Sequence, residues 1–231
     1  MNDTHPAARS ATAAQRTDLL HRMLTVRRFE ESGAALPGTA DLPAGEEAVA
    51  VGVVNALGPA DTVVSASGAH GPARAVERAR ADLAEHVPAV TACFLGGDAQ
   101  EEHELTECID AAIRQGLPVL FCFANDEGTE PPGRATLPTE TVDGLDVEAV
   151  MRTAVAMVHT MRAGTGPRLL DARPRHPEAG GSDDPIRLLA DRMRNDHQLD
   201  DNALAAIDDH VAAQLRAALA GPPGLRRATA G

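Results

Sequence analysis

Few residues in this chain can do chemistry, and several of them sit beside glycines. His70 lies in Gly68-Ala69-His70-Gly71. An imidazole in such a turn can act as a general base or touch a substrate, and the same position also suits a solvated loop histidine. Asp98 follows Gly96-Gly97, and Asn125-Asp126 follows the apolar run LPVLFCFA. Read by themselves, these residues cap a helix and close a turn. His103, between Glu102 and Glu104, reads as a surface helix position. Cys93, Cys108 and Cys122 show no C-x-x-C spacing. An odd, scattered set of thiols predicts buried cysteines in a reducing cytoplasm. Arg27-Arg28 reads as a solvated or interface face.

Composition removes whole classes of function. The 231 residues hold 34 acidic and 21 basic side chains, giving a formal charge of −13, and there is no lysine, Trp or Tyr. Without lysine there is no Schiff base and no P-loop lysine. Without Trp or Tyr, aromatic base-stacking platforms are lost. The negative charge argues against nucleic acid and anionic membrane as partners. The first 14 residues carry no apolar h-region, so no signal peptide is expected. The apolar stretch Ala48 to Leu57 is too short to span a bilayer.

The elements that must position these residues follow from apolar periodicity. Residues 12–33 predict a helix with Leu19, Leu20, Met23, Leu24 and Phe29 on one stripe. A second helix is expected over 45–57, a short strand over 63–66 and a third helix over 72–85. Residues 88–95 and 117–124 are continuous apolar runs, which suit strands buried on both faces. The helix between them, 100–115, has Leu105, Cys108, Ile109, Ala112 and Ile113 facing inward. That makes a βαβ unit with parallel strands. A turn-rich connection covers 125–141. Then come a helix capped by Asp146, a strand over 167–172, a loop over 173–183 and a helix over 185–194. A last helix, 201–220, carries Leu204, Ile207, Val211, Leu215 and Leu219 on one face. The expected fold is α/β, with a mainly parallel sheet flanked by helices. Residues 1–15 and 221–231 read as disordered. Residues 16–220 read as one domain, with 185–220 as a helical extension.

Several segments together resemble one family, the α subunit of thiamine-diphosphate-dependent 2-oxo acid dehydrogenases (the E1 component). Leu20-His21-Arg22-Met23-Leu24 with Arg27-Arg28-Phe29-Glu30 is similar to its first helix. Gly45 to Gly52 (GEEAVAVG) is similar to G-Q-E-A-V-x-V-G, and Ala69-His70-Gly71 to the end of Y-R-x-H-G. Leu117-Pro118-Val119 through Asn125-Asp126 resembles L-P-V…E-N-N. Val142-Asp143-Gly144 with Asp146-Val147 resembles V-D-G-N-D-V. Arg162 to Asp171 resembles A-R-x-G-x-G-P-x-L-I-E, and Ser182 to Pro185 resembles S-D-D-P.

The resemblance implies a thiamine-diphosphate-binding α/β fold, Mg²⁺ as the companion ion, and an E1-β-like partner chain that supplies the activating glutamate. By position the family's aspartate falls on Gly97, so with the turn shifted by one residue the resemblance implies Asp98, together with Asp126 and the Gly128 carbonyl, as metal ligands. It implies Gly96, Gly97, Asp98, Asn125 and Arg175 as cofactor contacts, and His70 as the residue for direct chemistry. Oxygen donors suit Mg²⁺. The chain also departs from the family. Gly96-Gly97-Asp98 stands where G-D-G is expected, and Ser67-Gly68 replaces Tyr-Arg. Asp41 takes the place of a histidine, and Ala179 that of another. Glu77 to Val90 is shorter than the family's counterpart by several dozen residues. Glu101, Glu102 and Glu104 would repel a diphosphate at the start of the helix after Asp98. Two functions are therefore expected: a subunit in decarboxylation of a 2-oxo acid or a related acyl transfer, or a non-catalytic α chain that stabilises a β-like partner.

Overall fold

The two apolar runs become neighbouring strands at the centre of one sheet. The computed structural model describes residues 11–32, 46–65, 70–95, 102–124, 130–131, 133–173 and 184–220. Its strands are β1 (Thr62–Ser65), β2 (Thr91–Leu95), β3 (Val119–Ala124), β4 (Thr139–Asp143) and β5 (Arg168–Arg173). Their order across the sheet is β1-β2-β3-β5-β4, and every pairing is parallel. β2 and β3 are buried at every position, as expected of strands covered on both faces. The α/β expectation holds.

The helices are α1 (Ala13–Glu31), α2 (Glu47–Ala56), α3 (Gly71–Ala84), α4 (Glu102–Gln115), α5 (Val147–Arg162), α6 (Pro185–Asn195) and α7 (Asp201–Ala220). α1 starts in a capping box: Gln15 N–H donates to Thr12 Oγ1 at 3.3 Å and Thr12 N–H to Gln15 Oε1 at 2.9 Å. Asp146 caps α5 as expected, accepting from the Glu148 and Ala149 amides at 3.0 and 3.1 Å.

Alternation along each strand sorts the core into two faces. Cys93, Phe121, Phe123 and Leu169 pack under α3 and α4 through Val76, Ala79, Ile109 and Ala112. Ala92, Phe94, Cys122 and Leu170 pack under α2 and α5 through Val49, Val53, Val150 and Met157. A third cluster covers the outer side of α2. It joins Leu20, Met23 and Leu24 of α1 to Ala48, Val51, Ile186, Met193 and Val211. α2 is thus a middle layer, buried from Glu47 to Val53, with Val54 exposed.

Four expectations need correction. β4 falls partly inside the segment expected as a turn-rich connection. It is an edge strand with Val142 as its one buried residue, so no apolar run marked it. Ile113 is exposed rather than inward. On α7 only Val211 is fully buried, and Leu204, Ile207, Leu215 and Leu219 are half-covered. Arg27 is no solvated face, because it ties two helices together, as described below.

Candidate functional site

The order of the strands marks where a ligand site would form. β1, β2 and β3 follow one another across the sheet through α3 and α4 on one face. The chain then passes β5's place, forms β4 at the edge, and returns to β5 through α5 on the other face. Between β3 and β5 the connections part to opposite faces. Leu137, in the connection after β3, joins the core on the α4 side. The chain beyond β5 leads to α6, which packs on the opposite side. In open α/β sheets the crevice at such a reversal, outside the carboxyl ends of the strands, is where ligands bind.

Most of the sequence-derived site residues follow the strands in chain order. Gly96, Gly97 and Asp98 come directly after β2, Asn125, Asp126 and Gly128 after β3, and Arg175 two positions after β5. All seven lie outside the described residues. β2 and β3 are paired in register, Leu95 with Phe123, so the chain leaves two adjoining strands just before the Asp98 and Asp126 segments. The donor set there is all oxygen, which fits Mg²⁺. Among the described residues, no group of three or more His, Cys, Asp and Glu side chains is arranged to hold a metal ion.

His70 is described, and it stands at the N-cap of α3 with its side chain 79% exposed. Its Nδ1 is 3.6 Å from Glu104 Oε1 on α4. His103 is a surface residue, as expected, and lies 3.4 Å from Glu107. The three thiols are free and buried. Burial first, with Cys108 nearby, pushes Cys93 up to about 12, and burial likewise pushes Cys122 far up. Neither is a nucleophile near neutral pH.

Two buried carboxylates, Asp171 and Glu47, were not singled out by the sequence. On β5, Asp171 is 1% exposed and receives Arg173 Nε at 2.9 Å. Arg134, from the connection after β3, also donates to it, and Thr141 Oγ1 lies 3.4 Å away. Asp171 therefore pins the β3–β4 connection onto the sheet. The hydrogen bond to Asp171 raises Arg173 above its ordinary value. On the other face, Arg27 donates to Glu47 Oε1 at 2.7 Å and to Asp184 Oδ2 at 2.9 Å. A legible signal existed for both. A carboxylate inside an apolar run, as in PRLLDA or EAVAVGVV, must be paired when buried.

The remaining buried charges are structural. Glu148 sits between Arg16 at 3.0 Å and Arg192 at 2.5 Å, joining α1, α5 and α6. At the opposite edge of the sheet, Asp61 accepts from the Gly58 and Val90 amides at 2.6 and 2.8 Å and from Arg162. Asp146 and Asp184 are partly desolvated, which raises them, but hydrogen bonds from Arg192 and Arg27 outweigh this and hold both below the usual carboxylate range.

No protein-family profile matches the chain. The comparison that decides most is with a curated protein. The "Pyruvate dehydrogenase E1 component subunit alpha" of Porphyra purpurea is 33% identical over 98 residues. Over that stretch the chain is a distant relative of an E1 α subunit. The match takes in 36% of this chain and spans 28% of the relative's length. No described helix is long and apolar enough to cross a membrane.

Proposed function

We propose that the chain is an E1-α-like subunit that works with an E1-β-like chain on a 2-oxo acid or a related acyl group. The observation that carries this reading is the 33% identity to an E1 α subunit. A sheet whose winding reverses between β3 and β5 supports it, because Asn125, Asp126 and Gly128 follow β3 and Arg175 follows β5 in the sequence, while Asp98 follows the neighbouring β2. In this reading 16–220 is one domain.

Asp98, Asp126 and the Gly128 carbonyl would hold Mg²⁺, and Gly96, Gly97, Asn125 and Arg175 would contact thiamine diphosphate. When bound, the cofactor supplies the carbon nucleophile and electron sink for decarboxylation, and the ion offsets the diphosphate charge. The chain's own part is to bind and orient. Phe94, Phe123 and Ala124 are buried at the carboxyl ends of β2 and β3, just before the segments that would carry the ligands. Asp171 holds Arg134, in the described part of the connection after β3. His70, exposed at the head of α3, would meet substrate or partner from the rim.

The test is a calorimetric titration with thiamine diphosphate and Mg²⁺, with and without a β-like chain. Saturable binding that Asp126→Ala abolishes is the expected result. Heterodimer formation without cofactor binding would instead support a non-catalytic α chain that stabilises its partner. No binding and no heterodimer would sink both.

A further inference from the structure

We propose that His21 of α1 and His210 of α7 form a half-site for a divalent transition ion of the Zn²⁺ type, and that the bound ion staples α7 to α1. The two rings lie beside each other across the α1–α7 seam, with centroids 5.8 Å apart and planes inclined at 47°. His21 is half-buried and His210 is exposed, so an ion in solution can reach the pair. Among the described residues, neither imidazole makes a hydrogen bond or an ion pair. His70 and His103, by contrast, each stand beside a glutamate. The seam therefore holds two adjoining nitrogen ligands that no other group of the fold has taken up.

The spacing admits a shared ion. A bond of about 2.1 Å, with about 1.1 Å more from nitrogen to ring centre, puts an ion about 3.2 Å from each centroid. Two imidazoles on one tetrahedral ion then have centroids about 5.2 Å apart, and wider ligand angles bring that toward 6 Å. The observed separation falls inside this span. Neutral imidazole suits zinc, copper and nickel, whereas Mg²⁺ prefers carboxylate and carbonyl oxygen. A closed structural zinc site takes four protein ligands. Two histidines make an open site in which water fills the other positions, and the ion exchanges. This agrees with the lack of any described cluster of three or more such ligands.

The charges along the seam do not oppose a cation. On α1, Arg22 is tied to Asp18 at 2.8 Å, and Arg28 to Asp208 of α7. On α7, Asp209 stands next to His210 and is exposed, and Arg216 turns back to the Ala212 carbonyl at 3.1 Å. A metal bridge would matter here because α7 is lightly held. Val211 is its one fully buried residue among those described. The seam lies outside α2, and the proposal does not depend on the family assignment.

The full chain, labelled with ¹⁵N at its histidine rings, is titrated with zinc chloride at about pH 7.5, where ligating imidazole is neutral. Two ring signals should shift together and saturate at one ion per chain. His21→Gln and His210→Gln assign them. Each variant should weaken binding by at least about tenfold, since even changes outside the ligand shell cost that much. Amide exchange at Val211 and Ala212 should slow with zinc in the unmodified chain and in His103→Gln, and in neither seam variant. Both seam residues reach water, so the variants should fold; circular dichroism without zinc checks this. The absence of saturable binding would overturn the proposal. So would binding that survives either seam variant, or the same ring shifts with Mg²⁺. Unchanged exchange at saturating zinc would overturn the staple.

Discussion

Glu148 shows what a single carboxylate does in this molecule. It is 2% exposed, it follows the cap residue Asp146 by two positions, and it joins Arg16 to Arg192. Arg16 is itself only 7% exposed, so removing Glu148 strands a buried guanidinium. Breaking a buried pair by deleting one partner costs about 3–5 kcal/mol. Glu148→Ala is expected to lower stability by that amount in a urea titration, with the slope of the transition unchanged. Arg16 keeps Asp196 and Gln198 as partners, which places the loss toward the lower end. None of these pairings could be read along the chain. Arg16 and Glu148 are 132 positions apart, and only folding brings them to 3.0 Å.

At the scale of elements, α2 and α5 cross closely at Gly52. A Cβ on Gly52 would lie 2.6 Å from Val150 Cγ1, 2.8 Å from Val150 Cβ and 3.0 Å from the Met151 nitrogen. The last two atoms are fixed by the helix and cannot swing away. Alanine gains about 1 kcal/mol over glycine in a helix interior. Overpacking a close crossing costs about 1–3 kcal/mol and more where backbone must move. The clash wins, so Gly52→Ala is expected to destabilise the chain by about 1–2 kcal/mol, the reverse of its helix propensity. Thermal unfolding followed by circular dichroism decides it; a raised midpoint would show that α2 and α5 can move apart. Helix existence was legible, since α4, α5 and α7 lie close to where periodicity put them. β4 was not, because an edge strand with a single inward residue leaves no alternating pattern.

For the whole molecule, the layers differ in how much they support. The sheet is covered on both faces without α7. α7 leans on α1 through Val211 and the Arg28–Asp208 pair. A chain ending at residue 199 should keep the parallel sheet and its cooperative unfolding. Its midpoint should fall by only a few degrees, about 2–4 °C per kcal/mol lost in a chain of this size. Loss of the cooperative transition would show that α7 belongs to the central folding unit.

The sequence by itself determined the α/β class, the βαβ core and the side of most helices. These rest on local periodicity and apolar runs, which short segments carry in full. It also placed Asp98 and Asp126 after two adjacent strands. Only the tertiary structure decided that β5 lies between β3 and β4, because strand order depends on contacts between segments distant along the chain. That order creates the reversal between β3 and β5, the strands that Asp126 and Arg175 follow in the sequence. The charge networks of Arg27, Asp171 and Glu148 were decided there too, since a buried ion pair is specified by partners that only the fold can bring together.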